Sequence, residues 1–194
     1  MNDDGWHTLL AAAVDRNIVV FDSDAAANQF TKRLVSLMKT IMRRNGGGNS
    51  SSANRGALTD LYVSPEAMED IRNWGVDIVD EVTRREIYTA ADGAVNRIFG
   101  VNLHDRDELG VGQEYQNFYS EAGALNQGTP PGSKSEIVVG LDLRKRDSFI
   151  MPVRQEVQIF EDDSLHRQKR AGFYGWAELG FAVLDNRRVL LGAV

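Results

Sequence analysis

The chain has 194 residues, of which 42% are hydrophobic and 26% charged, and its formal net charge is -6. This composition is typical of a soluble globular protein, and the acidic balance argues against a nucleic-acid-binding surface spread over the whole molecule. Cysteine is absent, which excludes disulfides, thiol nucleophiles and cysteine-ligated zinc, and no apolar run is long enough to suggest a membrane span.

The first quarter of the chain predicts one short strand and one long helix. Its start, MNDDGWHTLL, is acidic and unlike a signal peptide, which favours a cytoplasmic protein. The β-branched run at residues 18–21 predicts a buried strand. Residues 24–45 predict a helix about 30 Å long, capped by Ser23 or Asp24. Its apolar stripe, at helical spacing, consists of Phe30, Leu34, Leu37, Met38, Ile41 and Met42.

The run GGGNSSS, residues 46–52, ends this helix and predicts a flexible polar connection. A phosphate-binding loop needs a strand before it, a Gly-Lys-Ser/Thr sequence inside it and a helix after it. Here a helix precedes the run, no lysine occurs between Lys39 and Lys134, and a strand is predicted to follow. The run is therefore interpreted as a loop.

The middle of the chain predicts a strand over residues 58–63, two helices, and a strand over residues 94–105. Ser64 as N-cap and Pro65 at the first helical position mark the start of the first helix, and Gly75 marks its end. Its buried face consists of Met68, Ile71 and Trp74. The second helix is predicted over residues 77–91. Residues 108–135 lack periodicity and predict a long surface loop.

The last third predicts antiparallel strands. Two strands flank a charged turn in residues 136–153, residues 153–160 alternate, and a long strand over residues 172–183 leads through a turn to a final strand. The aromatic residues of GFYGWAELGF, residues 172–181, fit either a core face or an interface, and a core face is favoured. The predicted fold class is α+β, with helices first and an antiparallel sheet last.

Two histidines stand in charged surroundings. His104 lies in HDRDE, where Asp105, Asp107 and Glu108 could supply oxygen ligands, but alternating residues of a strand point in opposite directions. We favour a solvated acidic turn there. His166 is interpreted as part of a charged hairpin tip. No catalytic, cofactor-binding or metal-binding residue is predicted.

Two charge clusters, TRRE at residues 83–86 and RKRD at residues 144–147, have two interpretations. They are either solvated faces whose ion pairs contribute about 0–1 kcal/mol each, or contacts between subunits that set their register. The candidates for contacts between subunits are Arg84, Arg85, Glu86, Arg144, Lys145, Arg146 and Asp147.

The order of elements and three phrases carry a resemblance to a known family. The phrases are TDLYVSPEAMEDIRNW, SFIMPVRQEVQIF and RAGFYGWAELGFAVLDNRRVLLG. From about Asp22 to Val194 the chain resembles the tailed-bacteriophage major capsid protein, whose Hong Kong ninety-seven fold encapsulin shells share. The resemblance implies a spine helix within residues 1–55, an axial-domain-like region over residues 56–145, and antiparallel strands over residues 146–194 that return to the peripheral domain.

The resemblance also implies a function in assembly and not in catalysis. Copies of the chain would form the pentamers and hexamers of an icosahedral shell that encloses DNA without sequence-specific binding, with portal, scaffold or decoration proteins as further partners. It implies no cofactor and no membrane, and a location in the virion, after assembly in the host cytoplasm. The alternatives are an encapsulin-like compartment that houses an enzyme and, least favoured, a small hydrolase built around His104 or His166.

One departure from the family pattern is large. Family members usually carry an N-terminal arm and an extended loop before the spine helix, and only about twenty residues precede the predicted helix here. We therefore expect this chain to be a C-terminal portion, truncated or processed, and expect it by itself to form a monomer or a small oligomer.

Overall fold

The computed structural model describes residues 9–10, 12, 19–26, 28–45, 56–74, 96–113, 115, 136–144, 146–161 and 172–194. Within these ranges Leu9, Leu10 and Ala12 are helical, and two α-helices have described bounds, α1 (Lys32–Asn45) and α2 (Pro65–Asn73). The strands are β1 (Val19–Phe21), β2 (Asp60–Val63), β3 (Asn96–Ile98), β4 (Val101–Asp105), β5 (Ile137–Leu141), β6 (Phe149–Ile150), β7 (Val153–Glu161), β8 (Phe173–Leu179), β9 (Ala182–Val183) and β10 (Val189–Ala193). The helix predicted over residues 77–91 and the run GGGNSSS lie outside the described residues.

Six strands form one mixed sheet in the order β1-β10-β5-β2-β4-β3. β1 pairs with β10 and β2 with β4 in parallel, and the other neighbours are antiparallel. The chain is therefore mixed α/β. The antiparallel sheet predicted at the end of the chain is not a separate unit, because its last strand, β10, pairs antiparallel with β5 and in parallel with the early strand β1. All three predicted segments contribute strands to this sheet, and their division into domains stays a prediction.

Helix α1 begins later than predicted. The hydroxyl of Thr31 accepts a hydrogen bond from the backbone N–H of Leu34 (3.2 Å), so Thr31 caps the helix in place of Ser23 or Asp24. Before it, Asn28 has a positive φ of 51°, and the carboxylate of Asp22 accepts hydrogen bonds from the hydroxyl of Thr31 (2.8 Å) and the N–H of Asp24 (3.1 Å). These side chains make the hydrogen bonds of a turn before the helix. The turn stops the helix from extending towards the N-terminus. With 14 residues the helix is about 21 Å long.

The apolar stripe of α1 is confirmed. Leu34, Met38 and Met42 are buried, and so is Phe30 just before the helix, while Leu37 and Ile41 are partly buried against the same core. Met38 packs where β5 and β10 each carry a glycine. A Cβ added to Gly140 would lie 3.0 Å from Met38 Cε and 2.6 Å from Leu58 Cδ1, and one added to Gly192 would lie 3.0 Å from Met38 Sδ. Two glycines thus let the helix approach the sheet closely.

Helix α2 begins as predicted. Ser64 is its N-cap, with its hydroxyl accepting from the N–H of Ala67 (3.0 Å), and Pro65 is the first helical residue. Met68 and Ile71 are buried against the core. The helix ends at Asn73, and the following Trp74 stacks on Phe30 with ring centroids 5.9 Å apart. Both helices therefore pack on one side of the sheet and contribute to the core cluster there. A second cluster, which includes Leu109 and Leu191, covers the other side.

The strand predicted over residues 94–105 is a hairpin. β3 and β4 are antiparallel and joined by Phe99 and Gly100, whose φ angles are 47° and 75°. Two successive residues with positive φ are what a tight two-residue hairpin turn requires. The Nζ of Lys39 donates to the carbonyl of Phe99 (2.6 Å), which ties this turn to α1.

A candidate self-association surface

Strands β7 and β8 form a separate antiparallel ribbon. In the described residues they pair with each other and with no other strand, from Val153 opposite Leu179 to Glu161 opposite Phe173. The register shifts twice along β7, between Val153 and Gln155 and between Gln155 and Gln158. The ribbon is thus a two-stranded extension beside the six-stranded sheet.

The ribbon exposes most of its large apolar side chains. Fifteen large hydrophobic residues are exposed among the described ones, and twelve of them lie between Ile150 and Leu184. The exposed fractions are 70% for Phe173, 56% for Tyr174 and 49% for Trp176. The favoured interpretation of these aromatics as core is therefore wrong, because no other element of the described chain covers them.

Alternation gives the ribbon two different faces. Side chains of a strand point alternately to opposite sides, and the observed register sorts them. We call one side the apolar face; it consists of Val153, Val157, Ile159, Phe173, Gly175, Ala177 and Leu179, with Glu161 at its far end. The opposite side, the mixed face, consists of Gln155, Gln158, Phe160, Tyr174, Trp176 and Glu178.

A shallow, largely open groove lies at the ribbon. Its volume is about 470 Å³, and Gly175 and Ala177 leave its floor low because they carry almost no side chain. It is also lined by Val157, Ile159 and Phe173 of the apolar face and by Tyr174 and Trp176, which the register assigns to the mixed face. Val157 and Ile159 are 71% and 73% exposed, so the walls of this groove stand in water.

This patch is large for a protein that acts alone. A fully covered aromatic side chain buries about 150–250 Å², so at its exposed fraction Phe173 presents roughly 140 Å² on the apolar face, and Tyr174 and Trp176 together present roughly 200 Å² on the mixed face. Soluble monomers rarely leave more than a few hundred Å² of contiguous apolar surface exposed, and larger patches mark interaction sites. The exposed Val153, Val157, Ile159 and Leu179 add to Phe173 on the apolar face, so that face has the properties of an interface.

Two charged side chains of the ribbon pair with each other. Arg154 Nη1 donates to Glu178 Oε1 at 2.7 Å, and both side chains are largely exposed. On the mixed face, the rings of Phe160 and Tyr174 stack with their centroids 5.4 Å apart. Glu156 is also exposed; it lies in the register shift next to Val157 and is assigned to neither face.

The predicted contact residues lie elsewhere, and three of them are described. Arg84, Arg85, Glu86 and Lys145 lie outside the described residues, and Arg146 starts a short 3-10 helix that also contains Asp147. Arg144 donates from Nε and Nη2 to the two carboxylate oxygens of Asp142, at 3.0 Å each. Its guanidinium therefore has a partner within the chain, and a role of these residues between subunits stays a prediction.

Asp142 also pairs with a buried arginine. Arg188 Nη1 donates to Asp142 Oδ2 at 2.6 Å, and the two side chains are 4% and 0% exposed. Burial raises the pKa of Asp142, but hydrogen bonds from Arg144 and from the N–H of Ala57 outweigh it, and the pKa falls to about 2. This pair fixes the turn after β5 to the turn before β10.

His104 has a partner that the sequence did not indicate. Its Nε2 lies 2.9 Å from Asp60 Oδ1, and its ring stacks on Tyr62 with centroids 4.7 Å apart. The parallel register of β2 and β4 places Tyr62 opposite His104 and Asp60 opposite Asn102, whose amide also donates to Asp60 (3.2 Å). Burial raises the pKa of Asp60, but hydrogen bonds from His104, Thr59 and Asn102 lower it overall.

No metal site is found in the described part of the chain. No three histidine or acidic side chains there converge as ligands, so Asp105, Asp107 and Glu108 do not surround His104. His166 lies outside the described residues. The same part of the chain contains no helix with the length and apolar character needed to cross a membrane.

A second buried carboxyl, Glu136, lies at the start of α2. Ser64 Oγ donates to Glu136 Oε2 (3.2 Å), while Oε1 is buried without a hydrogen-bond partner among the described residues. Burial raises the pKa of Glu136 to about 7; the Ser64 hydrogen bond opposes this, and the nearby carboxylates of Glu66 and Asp70 add to it. Glu136 therefore holds its proton to a higher pH than an ordinary carboxyl.

Comparison with known proteins gives little similarity. No family model matches the chain, and no curated protein matches it. A solved structure from Gordonia phage Cozz is similar at a TM-score of 0.42 and 15% sequence identity, over 95% of this chain. The chain spans 59% of the length of that phage chain.

Proposed function

We propose that this chain is a structural subunit that assembles with copies of itself, as the major capsid protein of a tailed phage does in the shell that encloses the DNA. The observation that carries self-assembly is the ribbon of β7 and β8. Its apolar face stands exposed, with Val157, Ile159 and Phe173 each about 70% accessible to water. A surface of this kind is typical of a protein whose stable state is an assembly.

The assignment to a capsid rests on the resemblance of the sequence. In agreement with it, an amphipathic helix precedes a strand, a Ser-Pro start and a second helix, and an antiparallel ribbon follows late in the chain. The net charge of -6 fits a shell whose inner surface must not hold DNA tightly, because binding to phosphates requires Lys and Arg. The role of the protein is then to assemble, and not to turn over a substrate.

The test is the size of the full gene product. Gel filtration followed by electron microscopy should show capsomers or closed shells. A gene product that stays strictly monomeric at high concentration would contradict the proposal. The neighbouring genes separate a phage shell from an enzyme-housing compartment, because terminase, portal and protease genes accompany the first and a cargo enzyme accompanies the second.

A further inference from the structure

We infer that the apolar face of one ribbon packs against the apolar face of the ribbon of a second copy. This inference rests on the proposed self-assembly and adds to it the surface through which two copies meet. Closed assemblies with point-group symmetry commonly contain twofold contacts, in which the same patch of both copies is buried. Such a patch must be complementary to itself.

The composition of the apolar face matches a second copy of that face. It contains Val153, Val157, Ile159, Phe173 and Leu179, and no lysine or arginine. Nucleic acid as the partner would require cationic side chains, which this face lacks. Glu161 lies at the far end of the face, and the exposed Glu156 lies in the register shift beside Val157, so the contact must leave both carboxylates in water.

The exposed apolar side chains would be covered by packing through the face and not by pairing along an edge. If two ribbons joined strand to strand at their edges, Val157, Ile159 and Phe173 would stay in water. The edge of β7 is also interrupted by two shifts of register, which disfavours continuous pairing with another strand. Face-to-face packing instead covers all three side chains at once, as in a β-sandwich.

The groove supplies shape complementarity. Its floor is low at Gly175 and Ala177, and large side chains stand along β7 at Val157 and Ile159. A well-packed contact alternates large and small residues across facing positions, and the same face of a second copy offers both. The large exposed side chains of this face present several hundred Å² per copy, a substantial part of the about 800 Å² per partner that a standard interface buries.

Single cysteines test this contact cleanly, because the chain contains none. Val157→Cys places one thiol at the centre of the apolar face, and Gln158→Cys places it one residue away on the mixed face. Packed sheets lie about 10 Å apart with their facing side chains between them. A short bis-maleimide linker should therefore join two copies of the Val157→Cys protein into a covalent dimer and leave the Gln158→Cys protein monomeric on a denaturing gel. The experiment uses the full gene product at a concentration at which it assembles.

The outcomes separate this inference from the proposed function. If the product assembles but Val157→Cys forms no dimer, the face-to-face contact is overturned while self-assembly stands. If Val157→Cys dimers form without capsomers or shells, the contact stands and the capsid function falls. Equal linking of both variants would also overturn the contact. A further contradicting result is that no linking occurs while the protein binds phosphatidylcholine vesicles and Val157→Glu abolishes that binding.

Discussion

Two buried carboxyl groups, Asp142 and Glu136, differ in the number of hydrogen bonds that they receive and in the direction of their pKa shift. Asp142 receives hydrogen bonds from Arg144, Arg188 and the N–H of Ala57, and its pKa is lowered to about 2. Glu136 receives one hydrogen bond, from Ser64, and its pKa is raised to about 7 by burial. Removal of the charge at these two positions should therefore change the stability of the protein in opposite directions.

Glu136→Gln should stabilise the protein above neutral pH. Below pH 4.5 the carboxyl is protonated in both the folded and the unfolded chain, and its ionisation costs nothing. Between pH 4.5 and about 7 the unfolded chain loses a proton that the folded chain keeps, so the free energy of unfolding falls as the pH rises. Urea unfolding should show the variant more stable by about 1–3 kcal/mol at pH 8 and similar to the parent at pH 4. Parallel pH profiles of the two proteins would contradict this.

Asp142→Asn should destabilise the protein at pH 7. Its removal leaves the guanidinium of Arg188, which is 4% exposed, with only the longer contact of its Nε to Asp185 Oδ2 at 3.7 Å, and breaking a buried pair costs about 3–5 kcal/mol. Asp142 contributes stability above its ordinary pKa of 3.8, and this contribution is lost as the pH falls through about 2. Asp185→Asn is the comparison: that carboxylate is 24% exposed and makes only the longer contact to the same arginine, so its removal should cost less. Equal losses in urea unfolding would argue against the buried pair.

At the scale of elements, local signals in the sequence predict some boundaries and miss others. The Ser64-Pro65 start of α2 is predicted correctly because its capping bond joins residues three apart. The start of α1 is missed because the carboxylate of Asp22 accepts a hydrogen bond from the hydroxyl of Thr31, nine residues away. This contact holds a turn where the sequence predicts the first turns of the helix. The pair of Asp60 and His104 joins residues 44 positions apart through the parallel register of β2 and β4, which periodicity does not reveal.

The packing of α1 on the sheet gives a prediction at the same scale. Gly140→Ala should destabilise the protein by about 1–3 kcal/mol, because the new methyl group crowds Leu58 and the end of Met38. Met38→Ala removes one of the crowding groups, so the loss caused by Gly140→Ala should be smaller in the Met38→Ala background. Thermal unfolding of the two single variants and the double variant measures this coupling. Strict additivity would show that Met38 is not what limits space at Gly140.

At the scale of the whole molecule, the sequence predicts the ribbon but not its exposure. Alternation along β7 and β8 indicates that one face carries apolar residues, and this is observed. Alternation does not indicate whether that face is covered by the same chain or by another one. In the structure, the helices and the six-stranded sheet bury their apolar residues against each other, and the ribbon remains uncovered by the described residues. Its burial is therefore expected to come from assembly.

The most direct test of self-assembly through this face compares Ile159→Glu with Gln158→Glu by sedimentation velocity at equal concentration. Both variants add one glutamate to neighbouring positions of β7, the first on the apolar face and the second on the mixed face. A charge buried in an apolar contact without a partner is strongly unfavourable. We predict that Gln158→Glu sediments as the same assemblies as the parent and that Ile159→Glu sediments as a folded monomer with an unchanged thermal midpoint. Undiminished assembly of Ile159→Glu would contradict the account.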